Sequence, residues 1–313
     1  MKLLVSLLKE RPDKLKTLVV ITGPTASGKT SISIEVAKAL RCEIISADSR
    51  QMYYDIPIAT AAPTKEERAA VAHHFVGTLA LDAYYSAACF EEDVMSLLPK
   101  LFSKSDYAVL CGGSMLYVDA VTKGIDDMPT ISDGVRQSVA EMCDREGSEG
   151  LLARLRLCDP EYYEIVDRKN TKRVAHALEI IYESGKTYTS FRTGKIKNRD
   201  FRILKFAIDR PREELYERIL SRVINMVDTG LENEVRRVYK FRELNSLNTV
   251  GVKEMLDYID GKIAIDEAMT KIARNTRVFA KKQLTWLKKD SDIIKSNNPD
   301  EILSKIQKLP ANL

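Results

Sequence analysis

Residues 23–30 read Gly23-Pro24-Thr25-Ala26-Ser27-Gly28-Lys29-Thr30 and follow directly on the apolar run Leu18-Val19-Val20-Ile21. The octapeptide has the G-x-x-x-x-G-K-T pattern of a phosphate-binding loop, which requires a strand before it and a helix after it. Ile32, Val36 and Leu40 supply the helix, recurring at i, i+4, i+8 as one apolar stripe. Such a loop turns backbone N–H groups toward phosphate oxygens at a helix N-terminus, and adds the Lys29 charge and a Thr30 hydroxyl able to hold Mg²⁺. The chain is therefore expected to build a parallel α/β core around the loop and to bind a phosphorylated small molecule. The loop alone leaves open whether the phosphate is transferred, hydrolysed or held.

Short apolar runs that end in polar or glycine residues recur through the first 120 residues. Leu18 to Thr22 is one expected strand, Glu43 to Ser46 a second running into Ala47-Asp48-Ser49, and Tyr107 to Cys111 a third running into Gly112-Gly113-Ser114. Helical stretches such as Glu91 to Ser103 separate them, the pattern of parallel strands joined by helical crossovers. Ligands in such sheets sit at the carboxyl ends of the strands, so the phosphate loop, Asp48 and Ser114 should converge. For an isolated Asp or Ser in that place a helix cap or turn is the commoner use. Beside a phosphate loop, a carboxylate can also accept a proton or hold a metal ion.

From about Ile125 the pattern is helical: Gly147 to Leu157, Asn170 to Ser184, Pro211 to Asp228, Leu231 to Phe241 and Ala264 to Lys288. Leu215, Ile219, Val223 and Val227 are spaced i, i+4, i+8, i+12. Between these helices, Ile203 to Ile208 reads as a strand that returns to the sheet. The expected organisation is a phosphate-loop core, 1–124 and about 200–313, interrupted by a helical insertion at about 125–199.

The 313 residues are 44% hydrophobic and 30% charged, the balance of an ordinary globular protein of about two domains. No run approaches the roughly 18 apolar residues of a membrane span. In Met1 to Lys16 the apolar stretch Leu3 to Leu8 is too short for a secretory leader, so a cytoplasmic protein is expected. Cys42, Cys89, Cys111, Cys143 and Cys158 are scattered and odd in number, which fits reduced thiols. His73, His74 and His176 are too few for a metal constellation, and two adjacent histidines diverge on any regular element.

A net charge of +4 decides little, but the distribution of charge is uneven. Thr270 to Lys289 contains Lys271, Arg274, Arg277, Lys281, Lys282, Lys288 and Lys289 and no acid. Arg274, Arg277 and Lys281 fall on one helical face at i, i+3, i+7. A solvated face accounts for a basic run taken alone; an acid-free helix of this length also suits a phosphate backbone.

Taken in order, the motifs resemble the tRNA dimethylallyltransferases, which prenylate N6 of adenosine 37 next to the anticodon. The resemblance spans nearly the whole chain: the phosphate loop, Asp48-Ser49-Arg50-Gln51-Met52-Tyr53, Asp82-Ala83-Tyr84-Tyr85-Ser86-Ala87, Gly112-Gly113-Ser114-Met115-Leu116-Tyr117, Arg173 with Ala177-Leu178-Glu179, Gly230-Leu231 with Glu234-Val235, and Ala280-Lys281-Lys282-Gln283-Leu284-Thr285-Trp286.

The resemblance implies an α/β phosphate-loop fold with a helical insertion and C-terminal helices, acting as a monomer on tRNA and dimethylallyl diphosphate. It implies that Gly23 to Thr30 hold the diphosphate, with Thr30 on Mg²⁺, that Asp48 is the general base, and that Ser114, where the family usually has Thr, bonds near the reacting centre. It further implies that Arg222 contacts the leaving diphosphate. The tRNA contacts it implies are Asp48, Ser49, Arg50, Gln51, Ser114, Arg136, Lys172, Arg173, His176, Asn248, Gly251 and Lys253; the basic helix adds Arg274, Arg277 and Lys281. Three positions depart from the family pattern. Thr60-Ala61-Ala62-Pro63 lacks the usual lysine, His176 replaces an arginine, and Gly251-Val252 replaces Gly-Tyr. Two alternatives share the loop, an adenylate isopentenyltransferase acting on a free adenine nucleotide and a nucleotide kinase; the basic helices argue against the first, because a mononucleotide needs no such surface.

Overall fold

The computed structural model describes residues 15–308. The leader reading of Leu3 to Leu8 and the last five residues of the insertion-flanking core lie outside them. Elements run in the order β1 (Thr17–Thr22), α1 (Lys29–Leu40), β2 (Ile44–Ser46), α2 (Lys65–Ala70), β3 (His73–His74), α3 (Ala87–Phe102), β4 (Tyr107–Cys111), α4 (Met115–Thr122), α5 (Asp133–Cys158), α6 (Pro160–Ile165), α7 (Thr171–Ser184) and α8 (Tyr188–Phe191). They continue with β5 (Arg202–Ala207), α9 (Arg212–Asp228), α10 (Leu231–Val238), α11 (Val252–Ile259), α12 (Ile265–Leu287), β6 (Ile294–Lys295) and α13 (Pro299–Lys308).

All six strands are parallel, in the order β3-β2-β4-β1-β5-β6. β1 is central and wholly buried, as its unbroken Thr-Leu-Val-Val-Ile-Thr run requires. After β1 the chain fills the β4 side of the sheet and then crosses over β1 to the β5 side, and a strand-order reversal of this kind opens a crevice at the carboxyl ends. β3 and β6 have two residues each, too few for any alternation to be legible in the sequence. One face of the sheet packs Val19, Ile21 and Phe206 against Ile32, Val36, Ile302 and Ile306 of α1 and α13. A second core joins Leu215, Ile219 and Val223 of α9 to Leu231 and Val235 of α10, Met255 of α11, and Ile272 and Ala280 of α12.

Two compact units result: the described residues up to Thr122 and from Asn198 onward, and Lys123–Lys197. The second has its own core of Val139, Leu151, Leu155, Val174, Ala177 and Leu178. Asp159 ties it together, capping α6 through Tyr162 N at 3.0 Å and accepting the Thr189 amide and hydroxyl at 2.7 Å each.

Several boundaries differ from the sequence reading for identifiable reasons. α3 starts four residues before Glu91 because Ser86 caps it, accepting Cys89 N at 3.2 Å. α5 begins well before Gly147 and is broken there, where φ is 68°. In α9 Met226 is buried in place of the expected Val227, because a strict four-residue repeat advances about 400° and drifts off a 3.6-residue face. Leu231 to Phe241 is α-helical only to Val238 and finishes as a 3₁₀ turn. None of the described helices is long and apolar enough to cross a membrane.

Candidate active site

The phosphate loop closes between β1 and α1 with Gly23, Ala26 and Gly28 at φ 150°, 63° and 90°. Ala26 is not a glycine, and its left-handed backbone is held from outside: Arg218 Nε donates to Ala26 O at 2.8 Å. Arg210 Nε donates to Ser27 O at 2.5 Å and is itself braced by Glu214 at 2.7 Å. A trans peptide points its N–H opposite its C=O, so the Arg210 bond turns the Gly28 N–H to the other side of the loop. Arg222 Nη1 donates to Thr25 Oγ1 at 3.0 Å. Ser27 Oγ is buried with no partner among the described residues. Thr30 lies in the first turn of α1, half-buried.

Asp48 and Ser114 meet at the ends of β2 and β4. Gly112 packs so closely that an added Cβ would sit 2.1 Å from the Ala47 carbonyl, so only glycine brings the two strand ends together. Ser114 Oγ accepts Ser49 N at 2.9 Å and lies 3.2 Å from Ser49 Oγ. Asp48 Oδ1 accepts the amides of Arg50 at 2.9 Å and Gln51 at 3.3 Å. One carboxylate oxygen, Oδ1, therefore serves the turn. Gln51 is pinned through Ser46, Thr60 and Ala61, and Arg50 donates to the Asn245 and Ser246 carbonyls.

Lys29 bonds back onto Pro24 O at 2.8 Å. Desolvation brings its ammonium down to about 8, the Arg222 charge pushes the same way, and Cys111 and Asp48 oppose it. Burial likewise lowers Arg222, with Asp48 opposing. Two poorly solvated cations thus share a single carboxylate, and an anion with several oxygens would repay their desolvation.

Four further residues brace the site and are not among the site residues expected from the sequence. Gln283 of α12, 3% exposed, accepts Thr25 N at 2.8 Å and donates to Gly113 O at 2.8 Å, tying the loop to the turn that carries Ser114. Arg210 and Arg218 grip the loop carbonyls. Glu234 of α10 is buried and accepts Ile58 N and Ala59 N at 2.9 and 2.7 Å; burial raises its carboxyl above the usual range. Two of these were readable as anomalies: Gln283 and Glu234 are polar residues on apolar stripes, Glu234 between Leu231, Val235 and Val238.

The remaining expected positions scatter. Arg274 and Lys281 are exposed on α12, whereas Arg277 lies over the Tyr216 ring at 5.0 Å with its Nε buried. Asn248 and Lys253 are exposed, and Gly251 is buried at the turn into α11 with φ 96°. In the second unit, Arg136 lies in the first turn of α5, Lys172 and Arg173 are exposed in the first turn of α7, and exposed His176 contacts Glu179 at 3.3 Å.

A family profile described as IPP transferase matches residues 51–290. The chain is 55% identical over 278 residues to tRNA dimethylallyltransferase 1 of Phocaeicola vulgatus, covering 89% of this chain and 93% of that one. It is 52% identical over 294 residues to tRNA dimethylallyltransferase 1 of Bacteroides fragilis, covering 93% and 98%. Among solved structures, the tRNA isopentenylpyrophosphate transferase of Bacillus halodurans superposes with a TM-score of 0.66 at 32% identity, over 93% of this chain and 94% of the other. A eukaryotic dimethylallyltransferase acting on tRNA, 22% identical, shares the fold with a TM-score of 0.79 over 95% of this chain and 81% of that one. With a profile spanning most of its length and relatives sharing half its residues, the chain belongs to the IPP transferase family.

Proposed function

We propose that this chain transfers the dimethylallyl group of dimethylallyl diphosphate to N6 of adenosine 37 in tRNAs reading codons that begin with U, giving N6-(dimethylallyl)adenosine and diphosphate. The observation that carries the reading is the convergence of two cations on the phosphate loop, Lys29 bonded to Pro24 O at 2.8 Å and Arg222 to Thr25 Oγ1 at 3.0 Å. Substrates of this kind ionise by losing diphosphate, since the allylic cation is delocalised; the barrier lies in the charge that accumulates on the leaving group. Lys29, Arg222 and the loop amides stabilise that charge as the C–O bond breaks and its electron pair departs with the diphosphate.

Asp48 takes the N6 proton on Oδ2 while the C–N bond forms, a contribution of about 10²–10⁴-fold. Ser114 holds Ser49, and with it the turn that carries the base. Adenine reaches the site by leaving its stack, at a cost of a few kcal/mol that contacts to the anticodon arm offset. For those contacts we propose Ser49, Arg50, Gln51, Arg136, Lys172, Arg173, His176, Asn248, Gly251 and Lys253, with Arg274, Arg277 and Lys281. Arg50, Gly251 and Arg277 act chiefly by shaping their surroundings, since each is already engaged by the protein.

Mg²⁺ suits the Thr30 hydroxyl, half-buried in the first turn of α1 beside the loop, because Mg²⁺ is commonly bound by few protein groups together with substrate phosphates. Thr30 would hold it, and the bound ion would neutralise charge on the departing diphosphate. The same reading has the enzyme act as a cytoplasmic monomer. Incubation with labelled dimethylallyl diphosphate and either unmodified tRNA carrying A36-A37-A38 or AMP tests it. Label in tRNA supports the reading, and label in AMP alone refutes it.

A further inference from the structure

Glu234 is a fully buried carboxylate on the apolar stripe of α10, a place where leucine would cost less than a charge. Its oxygens accept the backbone N–H groups of Ile58 at 2.9 Å and Ala59 at 2.7 Å. The turn so held carries Ala61 at φ 45°, a left-handed conformation that alanine adopts only when its surroundings impose it. It directs two carbonyls at groups of the site. Gln51 Nε2 donates to Thr60 O at 3.3 Å and to Ala61 O at 3.1 Å. Arg222 Nη2 donates to the same Thr60 O at 3.4 Å, while its Nη1 reaches Thr25 of the phosphate loop at 3.0 Å. Gln51 stands in the turn of the base, and Arg222 on the diphosphate side; the Thr60 carbonyl is common to both.

We propose that Glu234 is a positioning residue for the transfer reaction: by clamping the Ile58 and Ala59 amides it fixes the Thr60 carbonyl, and so sets Gln51 and Arg222 at the separation that aligns adenine with the allylic carbon. This inference rests on the prenyl-transfer reading. The carboxylate is suited to the task because it supplies two acceptors to two successive donors. A glutamine of the same size supplies one acceptor and opposes the second amide with its own N–H, and an aspartate keeps the charge but is one methylene short.

Steady-state kinetics of Glu234→Gln and Glu234→Asp in the full chain, alone and with Gln51→Ala, test the role. Each single variant should lower kcat by roughly 10–100-fold through misalignment, with the tRNA Kd within about twofold of the parent. Glu234→Gln added to Gln51→Ala should cost clearly less than it does in the parent, the remainder being the part that acts through Arg222. A multiplicative loss in the double variant overturns the role. So does near-parental kcat in a folded single variant while Gln51→Ala and Arg222→Ala are slow, an outcome that leaves the prenyl-transfer reading standing. Loss of the cooperative melting transition in both Glu234 variants makes the residue structural and overturns the proposal. A parent chain that does not label tRNA overturns the reading and the role together.

Discussion

The side-chain carbonyl of Gln283 accepts the Thr25 amide at 2.8 Å, so the helix that exposes Arg274 and Lys281 is bonded directly to the phosphate loop. The same side chain donates to Gly113 O, one residue before Ser114, and an added Cβ at Gly113 would lie 2.3 Å from Gln283 Nε2. One side chain thus ties the helix with the basic outer face to both the phosphate loop and the turn before Ser114.

Gln283→Leu keeps the volume and removes both bonds, leaving the Thr25 N–H and Gly113 C=O unsatisfied at about 1–3 kcal/mol each. The expected result is a KM for dimethylallyl diphosphate raised roughly tenfold, the equivalent of about 1.4 kcal/mol, with tRNA affinity close to the parent's. An unchanged KM would mean that the link carries no energy.

Asp48 caps its own turn, and on the proposed reading it is also the base. Asp48→Asn keeps an oxygen for the Arg50 and Gln51 amides and loses the base, so kcat should fall by about 10²–10⁴-fold while tRNA affinity and melting temperature hold. Asp48→Ala should lose the turn as well and melt lower. Near-normal kcat in Asp48→Asn removes Asp48 as the base.

Lys29 gives the site a pH signature of definite sign. With its ammonium at about 8 in place of the usual 10.5, the folded chain loses this proton well before the unfolded chain does. Ligand-free stability contributed by Lys29 therefore rises with pH between about 8 and 10.5, because burying the neutral amine is cheaper. Diphosphate affinity moves the opposite way, weakening above about pH 8 as the cation is lost. Calorimetric titration with inorganic diphosphate should show this weakening in the parent relative to Lys29→Arg, whose side chain stays charged. Parallel pH profiles for the two proteins would contradict it.

Arg274→Ala with Lys281→Ala should weaken tRNA binding and flatten its dependence on log salt by about one unit per lost phosphate contact. Arg277→Ala should act differently, lowering melting temperature by uncovering Tyr216 and leaving the salt slope nearly intact. Filter binding between low and moderate salt separates the two; an unchanged slope in the double variant returns α12 to an ordinary solvated face.

The local, periodic features were legible in the sequence. β1, β4 and the helices α7 and α12 stand within a residue or two of where their apolar runs place them, because burial on a sheet or helix stripe leaves a direct imprint on residue order. What the sequence hid is long-range. Nothing in the residues around Arg210 and Arg218 sets them apart, and only the fold brings them onto carbonyls nearly two hundred residues away. Glu234 and Gln283 were visible as polar interruptions of apolar stripes, but nothing local says that one clamps Ile58 and Ala59 and the other Thr25. The capping use of Asp48 likewise needs the geometry: sequence offers cap and base as alternatives, and the structure gives one oxygen to the cap.

The central claim is that the phosphate loop grips a leaving group and transfers no phosphoryl. Its most direct test counts N6-(dimethylallyl)adenosine formed and inorganic diphosphate released with unmodified tRNA and dimethylallyl diphosphate in the absence of ATP. One diphosphate should appear for each modified adenosine, with no ATP requirement. A dependence on ATP, or ATP turnover with no modified adenosine, would contradict it.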